Sequence, residues 1–354
     1  MTTPSPAQQI ASDISSLQSK LSSLQKSVQL ADVRDNVEDL QSKIAASSHR
    51  IAAVRQKGYV FEKVLEGQAS SLSQQWAKIH PSINQQINMQ AANLQAAIKP
   101  LEARISQLSA LARNPSVARP VLATLQPQIK VLEDKASAAE RSISGMYDQV
   151  QSQMDKLSSR LDQIEFMLTN LAEASFQLLP TESGLAAVKA VWCKSGKEQK
   201  DDPEGILFLT DQRILFEQKQ EVATKKVLFI ATEKQKVQAL QWEVPTALLD
   251  QVQTSKLGLM KNEDHLEIRF KSGANLQSAH LHIWQDCDIW QANLNRARSK
   301  EFDQDRVVEI DQKEVDKVKA APTQCPSCGA VLNAVVLRGQ DSMKCEYCGA
   351  VIRL

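Results

Sequence analysis

The chain is poor in aromatic residues and in glycine. Phe, Trp and Tyr make up 5% of its 354 residues, and only 11 residues are Gly. A single large globular core normally draws on both, whereas long helices that share narrow apolar seams need little of either. The scarcity therefore argues against one large core and favours several modules, with an extended helical module among them.

Long apolar runs and an excess of one charge are also missing. The longest apolar runs, such as Ile206–Leu209, have the length of a strand and cannot span a bilayer. The first residues, Met1–Pro6, contain neither a basic nor an apolar stretch, so no secretory signal is recognised. A formal net charge of +1 disfavours a general attraction to nucleic acid or anionic membranes. We expect a cytoplasmic protein.

Residues 1–178 carry the pattern of long helices. Ser5 and Gln8 form a capping box around Pro6, which suits the first helical position. Apolar residues then recur three and four apart, and the clearest seam, from Ile143 to Leu171, covers about four heptads, as in a coiled coil. Because such narrow stripes must be covered, we expect the chain to fold back into an antiparallel bundle and to self-associate.

Proline residues predict where these helices end or bend, because proline lacks the backbone N–H and its ring clashes with the preceding turn. A shift in phase at residues 29–33 resembles a coiled-coil stutter. Ends, turns or kinks are expected at His80–Pro81, Pro100, Asn114–Pro115, Arg119–Pro120 and Pro127.

The character of the sequence changes at Leu179–Pro180, where a second region, residues 179–300, begins. Eight short runs rich in β-branched and aromatic residues follow, most of them separated by turn residues such as Lys271–Gly273. A last helix is predicted from about Gln285 to Arg298. This order predicts a small antiparallel β-barrel capped by a C-terminal helix.

One stretch of this region carries a resemblance to a known family. Gly205–Phe216 consists of a strand, the turn Thr210–Arg213 and a second apolar strand. It resembles the GRAM subgroup of pleckstrin-homology-like (PH-like) domains, and Gln241–Pro245 and Trp290 in the last helix are also similar to that family. The resemblance implies a module that binds lipid head groups or proteins and is not an enzyme.

The resemblance also implies a contact loop between the first two strands. Lipid-binding members gather basic residues there, and this chain has three: Lys194, Lys197 and Lys200. A phosphate or head-group contact through these lysines is therefore a candidate. Four acidic residues in the same loop cancel most of its field, and we favour a solvated loop: Glu198, Asp201, Asp202 and Glu204.

The histidines and isolated cysteines invite a catalytic or metal interpretation. His280 and His282 share one face of a predicted strand, and Cys287 follows closely. We interpret these histidines as half-buried strand positions, since no carboxylate is placed beside them. A Cys–His nucleophile at Cys193 lacks a neighbouring residue to orient it. We predict no active site.

The last residues, 322–354, hold the strongest motif. Two Cys-x-x-Cys pairs are separated by sixteen residues, which is the spacing of a zinc ribbon, and Gly329 and Gly349 follow the pairs where the chain must turn sharply. Four thiolates complete a tetrahedral shell, so we predict one structural Zn²⁺. Residues 331–338 and 339–344 are expected to form a hairpin. The predicted ligands are Cys325, Cys328, Cys345 and Cys348.

Together with a charged linker at 301–321, these modules make a multi-domain α+β protein whose order resembles that of multi-domain bacterial proteins. The leading hypothesis is a non-enzymatic scaffold or adaptor, self-associating through its helices and docking protein partners through the PH/GRAM-like domain and the ribbon. A peripheral membrane protein at the inner face of the membrane is the first alternative. A transcription-associated factor is the second, and nucleic acid is disfavoured because Arg338, Lys344 and Arg353 form no basic stripe.

Overall fold

The computed structural model describes residues 5–111, 114–227 and 230–354, apart from the side chains at 109 and 222–234. It combines a helical N-terminal half with a seven-stranded antiparallel sheet. The described chain forms two compact units. The first comprises Met1–His49 and Glu66–Ser158, and the second comprises Arg50–Leu65 and Ser159–Leu354. The domain boundaries expected from the sequence stay predictions.

The N-terminal half is helical, as predicted. The Ser5 hydroxyl accepts the Gln8 N–H, the Gln8 side chain accepts the Ser5 N–H, and the capping box is therefore present. At the phase shift the chain does not continue as a stuttered helix, because Leu30 adopts a positive φ of 53° and separates two helices. The helices are α1 (Pro6–Ser27), α2 (Ala31–Gln56), α3 (Leu65–Ala110), α4 (Pro115–Ser144) and α5 (Asp148–Ala172).

The proline-based predictions are only partly correct. Pro115 is the first residue of α4, as expected of a turn at Asn114–Pro115. The predicted break at His80–Pro81 is wrong, because α3 continues through Pro81 and Pro100. Likewise α4 contains Pro120 and Pro127. A proline inside a helix costs about 3 kcal/mol, and here the buried stripe continues in phase across each proline and offsets that cost. On α3 the stripe includes Trp76, Ile83, Ile87, Ile98 and Leu101.

Within the first unit, α2 and α3 run antiparallel. Arg34 donates to Asn88 at 2.9 Å, and Trp76 donates to Gln41. The residue numbers therefore increase along α2 where they decrease along α3. Helix α1 packs against α4. The apolar stripe of α1 is buried inside the single chain, with members that are at most 5% exposed: Ile10, Ile14, Leu17 and Leu24.

The second unit is built on one antiparallel sheet in the order β4-β3-β2-β1-β7-β6-β5. The predicted strand at 226–230 is not separate, since Lys226 and Val227 end β3, Ile230 begins β4, and 228–229 lie outside the described residues. The strands are β1 (Gly184–Trp192), β2 (Glu204–Thr210), β3 (Arg213–Val227), β4 (Ile230–Pro245), β5 (Leu249–Leu257), β6 (Glu263–Phe270) and β7 (Ser278–Ile283).

The sheet is not closed into the barrel that the sequence predicted. Strands β4 and β5 are its two edges in the described chain. Pro245 ends β4, and the 3₁₀ turn Thr246–Leu248 carries the chain into β5. The predicted last helix is present as α6 (Cys287–Arg298) and packs against β5, where Gln291 donates to the Val252 carbonyl at 2.7 Å. Helix α6 thus covers the β5 edge.

The connection between α2 and α3 belongs to the second unit. Phe61 forms an isolated β-bridge with Arg306, and the Val307 N–H donates to the Val60 carbonyl at 2.8 Å. The Arg306 guanidinium lies 4.9 Å from the centroid of the Phe61 ring. Backbone pairing and burial of Phe61 fasten this connection to the segment that follows α6.

The C-terminal segment contains helix α7 (Gln312–Ala320) and a two-stranded sheet of β8 (Ser342–Lys344) and β9 (Val351–Arg353). Across the described residues, no helix combines the length and the apolar character needed to cross a membrane.

Candidate metal centre

The two Cys-x-x-Cys pairs open two copies of one short sequence. Cys325–Leu332 reads CPSCGAVL and Cys345–Ile352 reads CEYCGAVI. The repetition extends beyond the cysteines and glycines to Ala-Val and a large aliphatic residue. Sequence reasoning used the cysteine spacing and the glycines, and it missed this longer internal repeat.

Each copy folds into the same tight knuckle. The Gly329 N–H donates to the Cys325 carbonyl at 2.8 Å, and the Cys325 N–H donates to the Ala330 carbonyl at 2.8 Å. Gly329 has φ +72°, a conformation that glycine adopts without strain. The second copy repeats both bonds at 2.9 Å and the positive φ at +74°, through Cys345, Gly349 and Ala350.

The knuckles bring the four sulfurs together. The Sγ atoms of Cys325 and Cys348 are 3.7 Å apart, those of Cys328 and Cys345 are 3.8 Å apart, and all four lie within 4.8 Å of one another. Sulfurs at a Zn–S distance of about 2.3 Å in a tetrahedron would be separated by about 3.8 Å. The cluster is therefore compatible with one tetrahedral metal ion.

The electrostatics of the cluster differ from one thiol to another. Backbone N–H groups of Cys328 and Ser327 lower the pKa of Cys325 to about 6, and those of Cys348 and Tyr347 lower the pKa of Cys345. One ionised thiol makes ionisation of its neighbours harder, and four thiolates at these distances require a cation to balance them. Donor set and geometry thus favour a metal that prefers thiolate ligands.

A small apolar core stands behind the sulfurs. Met343 and Ile352 pair across β8 and β9 and are buried together with Cys325 and Cys345. Leu332 and Val336 pack against this cluster. A core of this size stabilises little by itself, so metal binding would supply much of the folding free energy of the segment.

The residues between the knuckles do not form the predicted hairpin. The described strands pair across the second knuckle instead, with Met343 opposite Ile352. The connection lies against the turn between β2 and β3. The Arg338 N–H donates to the Gln212 side chain at 2.6 Å, and the Gln212 side chain donates to the Arg338 carbonyl at 3.1 Å. Reciprocal bonds to the sheet unit replace the bonds that a hairpin would have made.

Charge pairing completes this junction. Arg306 and Arg338 both donate to Asp211 Oδ2, at 2.7 and 2.6 Å, and the Asp211 side chain is only 2% exposed. Burial raises the pKa of Asp211, while the Ser183 N–H and the two guanidiniums oppose this effect. Two cations around one buried carboxylate anchor both the linker and the inter-knuckle connection to the sheet.

The turn Thr210–Arg213, singled out by its resemblance to GRAM domains, is the centre of this arrangement. Thr210 Oγ1 accepts the Arg213 N–H at 2.7 Å and donates to Glu182 at 2.6 Å. Arg213 forms ion pairs with Glu182, at 2.5 Å, and with Glu243. Asp211 and Gln212, in the middle of the turn, thus bind the cysteine segment, while Thr210 and Arg213, at its ends, bind the buried carboxylate of Glu182.

The lysine loop shows no convergent cation site in the described structure. Lys194 Nζ lies 5.2 Å from the centroid of the Trp192 ring, while Lys197 and Lys200 are exposed. Asp202 organises the loop by accepting the Gln199 N–H at 2.7 Å and the Lys194 N–H at 3.3 Å. A head-group contact by these lysines stays a prediction.

His280 and His282 are half-buried on β7, as interpreted from the sequence, but the carboxylate of Glu198 lies beside His282. Among the described residues, Cys287 belongs to no cluster with the histidines. Its N–H, at the start of α6, donates to the carboxylate of Asp264 on β6. His280 and His282 meet His265, which sequence reasoning missed because β6 and β7 are brought together only by the sheet. Cys193 also reaches His265 and His280. Burial lowers the pKa of both these histidines and raises the pKa of Cys193 to about 11, which disfavours the thiolate that a nucleophile needs.

Comparison with known proteins gives no family. No protein-family model and no curated protein matches the chain. Among solved structures, the crystal structure of the DH/PH domains of p115-RhoGEF is 13% identical, covering 84% of this chain and 95% of that chain, with a TM-score of 0.23. A point mutant of the same domains is 12% identical, covering 84% and 98%, with a TM-score of 0.21. Neither TM-score reaches 0.5, and we draw no conclusion about fold or function from them.

Proposed function

We propose that the protein is a non-enzymatic scaffold or adaptor whose second unit docks protein partners. One observation carries the proposal: the four-cysteine segment is fastened to the sheet through the buried Asp211–Arg338 pair, so that both form one platform. The proposal places the chain in a reducing compartment, where the cysteine cluster stays available for a metal.

The metal in this proposal is one structural Zn²⁺ bound by Cys325, Cys328, Cys345 and Cys348. The sulfur separations support it, as does the duplicated knuckle. Four protein ligands leave no coordination position for water or substrate, so the ion would stabilise the segment rather than take part in catalysis.

The sheet is proposed to be a PH/GRAM-like binding module. Seven antiparallel strands followed by one packed helix support this assignment, since that order was expected from the resemblance. Trp290 and Leu294 of α6 are fully buried against the sheet, as befits a capping helix.

The surface of the cysteine segment supports protein docking. Three large side chains of the segment are strongly exposed, and two of them occupy equivalent places in the repeated sequence. Apolar and aromatic side chains are enriched in the core of protein interfaces. The three exposed side chains are Val331 at 56%, Tyr347 at 67% and Val351 at 71%. By contrast Arg338, one of the three basic residues considered for nucleic acid, is paired with Asp211.

Partner capture from the source cells tests the docking proposal. Zinc-loaded wild type should retain a stoichiometric partner that Tyr347→Glu and Val351→Glu release, with affinity reduced about tenfold or more, as expected of interface hot spots. Val308→Glu is the matched control, because Val308 is 56% exposed but lies outside the cysteine segment. Equal partner binding by all four proteins would refute docking through this surface.

Self-association through the helices stays a prediction. The stripes of α1 are covered within one chain, which removes the packing argument for a second copy. The molar mass in solution decides this point.

Membrane attachment is a second candidate function. The observation that favours it lies in the β5–β6 hairpin and not in the loop of Lys194, Lys197 and Lys200. Leu259 and Met260, at the tip of the β5–β6 hairpin, are 104% and 85% exposed. Lys261 follows them, and its N–H donates to the Gly258 carbonyl at 3.1 Å, which closes the tip, whereas Lys256 is paired with Asp264 and Asp286. Exposed apolar residues beside a lysine suit a shallow insertion into an anionic interface.

Flotation with anionic liposomes separates the two loops. Under the membrane hypothesis, Leu259→Asp combined with Met260→Asp should abolish flotation. The triple change of Lys194, Lys197 and Lys200 to Glu should weaken it only through charge, and less so at high salt. If the wild type does not float, membrane attachment is ruled out. If flotation is lost only in the lysine variant, the lysine loop and not the hairpin tip contacts the membrane.

A further inference from the structure

A second cluster of metal-binding side chains lies in the sheet, away from the four cysteines in sequence. His265 on β6 stands opposite His282 on β7 in the strand register, and His280 is two residues away on the same face. Cys193 directly follows β1, and its N–H donates to the His280 carbonyl at 2.9 Å. Three separate segments therefore deliver a thiol and imidazoles to one place.

The distances within the cluster are those of a coordination shell. His265 Nδ1 and His280 Nε2 are 3.2 Å apart. One ligand atom each from Cys193, His265 and His280 lies within 4.8 Å of the other two. Two nitrogens bound to Zn²⁺ at about 2.05 Å with a tetrahedral angle would be separated by about 3.3 Å.

Burial gives the cluster a second feature expected of a ligand site. Cys193 is 1% exposed and His265 is 3% exposed. His265 Nε2 has no hydrogen-bond partner, and Glu263 Oε2 lies 3.7 Å from it, beyond hydrogen-bond distance. A buried imidazole with only one nitrogen satisfied is costly. A metal bound at Nδ1 would fix the tautomer by placing the proton on Nε2, on the side of the Glu263 carboxylate, as a second-shell carboxylate does for a ligating histidine.

Glu198 and His282 form the rim of the same cluster. His282 Nδ1 lies 2.7 Å from Glu198 Oε2, and the His282 ring stacks on His265 with centroids 4.7 Å apart. Each of these two side chains already has the other as a partner, whereas Cys193 lacks a strong one, its sulfur lying 3.8 Å from the Val191 carbonyl. We therefore assign the inner three residues as ligands and the rim pair as their cover.

We propose that Cys193, His265 and His280 form a second metal site, independent of the four-cysteine cluster, which binds a borderline divalent cation such as Zn²⁺ or Co²⁺. One thiolate and two imidazoles exclude Mg²⁺ and Ca²⁺, which prefer oxygen ligands. Three protein ligands leave one coordination position open, so this site differs in kind from the closed four-cysteine shell.

Cobalt titration of the metal-free, reduced full-length protein tests the proposal. Wild type should bind two equivalents of Co²⁺. The Cys345→Ser variant should retain one equivalent of Co²⁺, with the weaker thiolate charge-transfer absorption of a single-cysteine site. Cys193→Ser and His280→Ala should each lower the stoichiometry from two equivalents to one. His49→Ala, an exposed histidine on α2, should still bind two.

Three outcomes would overturn the assignment. They are a wild-type stoichiometry of one, a full second equivalent in both Cys193→Ser and His280→Ala, or loss of that equivalent in His282→Ala but not in His280→Ala. Tryptophan fluorescence of each variant checks that the sheet is folded. If a variant is unfolded, the stoichiometry of the wild type alone decides whether the second site exists. Failure here leaves the scaffold proposal untouched, because partner docking depends on the cysteine segment.

Discussion

Arg338 donates to Asp211 Oδ2 at 2.6 Å, although the two residues lie on different parts of the chain, one between the cysteine knuckles and one in the β2–β3 turn. Arg306 donates to the same oxygen at 2.7 Å. One buried carboxylate therefore joins the sheet, the segment after α6 and the cysteine segment. This junction is what makes the C-terminal residues part of the platform rather than an independent appendage.

Arg338→Ala should release the connection between the knuckles while leaving metal binding intact. Removing one partner of a buried ion pair typically destabilises by about 3–5 kcal/mol, and here Arg306 still compensates Asp211, so we expect about 2 kcal/mol. Hydrogen exchange at residues 333–341 should accelerate, with the metal content unchanged.

Arg353→Ala is the matched control, because Arg353 is exposed on β9. Exchange at 333–341 should be the same in this variant as in wild type. Acceleration in both variants, or in neither, would mean that the Asp211–Arg338 pair does not hold the connection.

Removing the metal should unfold the cysteine segment locally. Without a cation, the four close sulfurs lose the ion that they bind in common, and the Met343–Ile352 core is too small to stay folded alone. Chelation, or Cys345→Ser, should therefore increase tryptic cleavage after Lys344 and leave cleavage after Lys189, on β1, unchanged. Equal resistance of the loaded and chelated protein at Lys344 would show that the segment does not need the metal.

Local patterns foresaw much of this architecture. The capping box at Ser5 and the paired cysteines are short-range features, and the structure places both as expected. Junctions between distant residues could not be foreseen, since neither Asp211–Arg338 nor His265–His280 has a signal within its own segment. Pro81 misled the prediction for a related reason: packing along the whole of α3 outweighs one missing hydrogen bond.

Gly205→Ala should destabilise the sheet strongly. A Cβ at Gly205 would lie 1.8 Å from the Glu217 carbonyl oxygen on the neighbouring strand, so backbone would have to move. Overpacking of this kind costs about 1–3 kcal/mol, and a backbone clash belongs at the upper end. The midpoint of urea unfolding, followed by tryptophan fluorescence, should fall accordingly.

Gly67→Ala provides the comparison for this change. Nothing lies within 4 Å of a Cβ at Gly67, which is in the first turns of α3, and alanine is favoured over glycine in a helix by up to about 1 kcal/mol. This variant should be neutral or slightly more stable. An equal loss in both variants would show that the β2–β3 contact at Gly205 is not the cause.

A partly buried triad in the second unit makes stability depend on pH. Glu62 Oε1 accepts the Tyr59 hydroxyl at 2.6 Å and the Arg160 Nε–H at 2.8 Å, and its side chain is 22% exposed. Burial alone would raise the pKa of Glu62, but the bonds from Arg160 and Tyr59 outweigh it and lower the pKa below the ordinary value of 4.5.

Glu62→Gln should therefore cost about 1–2 kcal/mol at neutral pH, and this cost should shrink under acid conditions. A lowered carboxyl pKa stabilises the folded state above the unfolded pKa of 4.5, and that stabilisation is lost as the pH falls through the folded pKa. Urea unfolding of wild type and variant at pH 7 and at pH 3 measures the difference between them. Glu309→Gln, at an exposed carboxylate, should have the same free energy of unfolding as wild type at both pH values. If Glu62→Gln lowers the free energy of unfolding equally at pH 7 and pH 3, the ionisation of Glu62 contributes nothing.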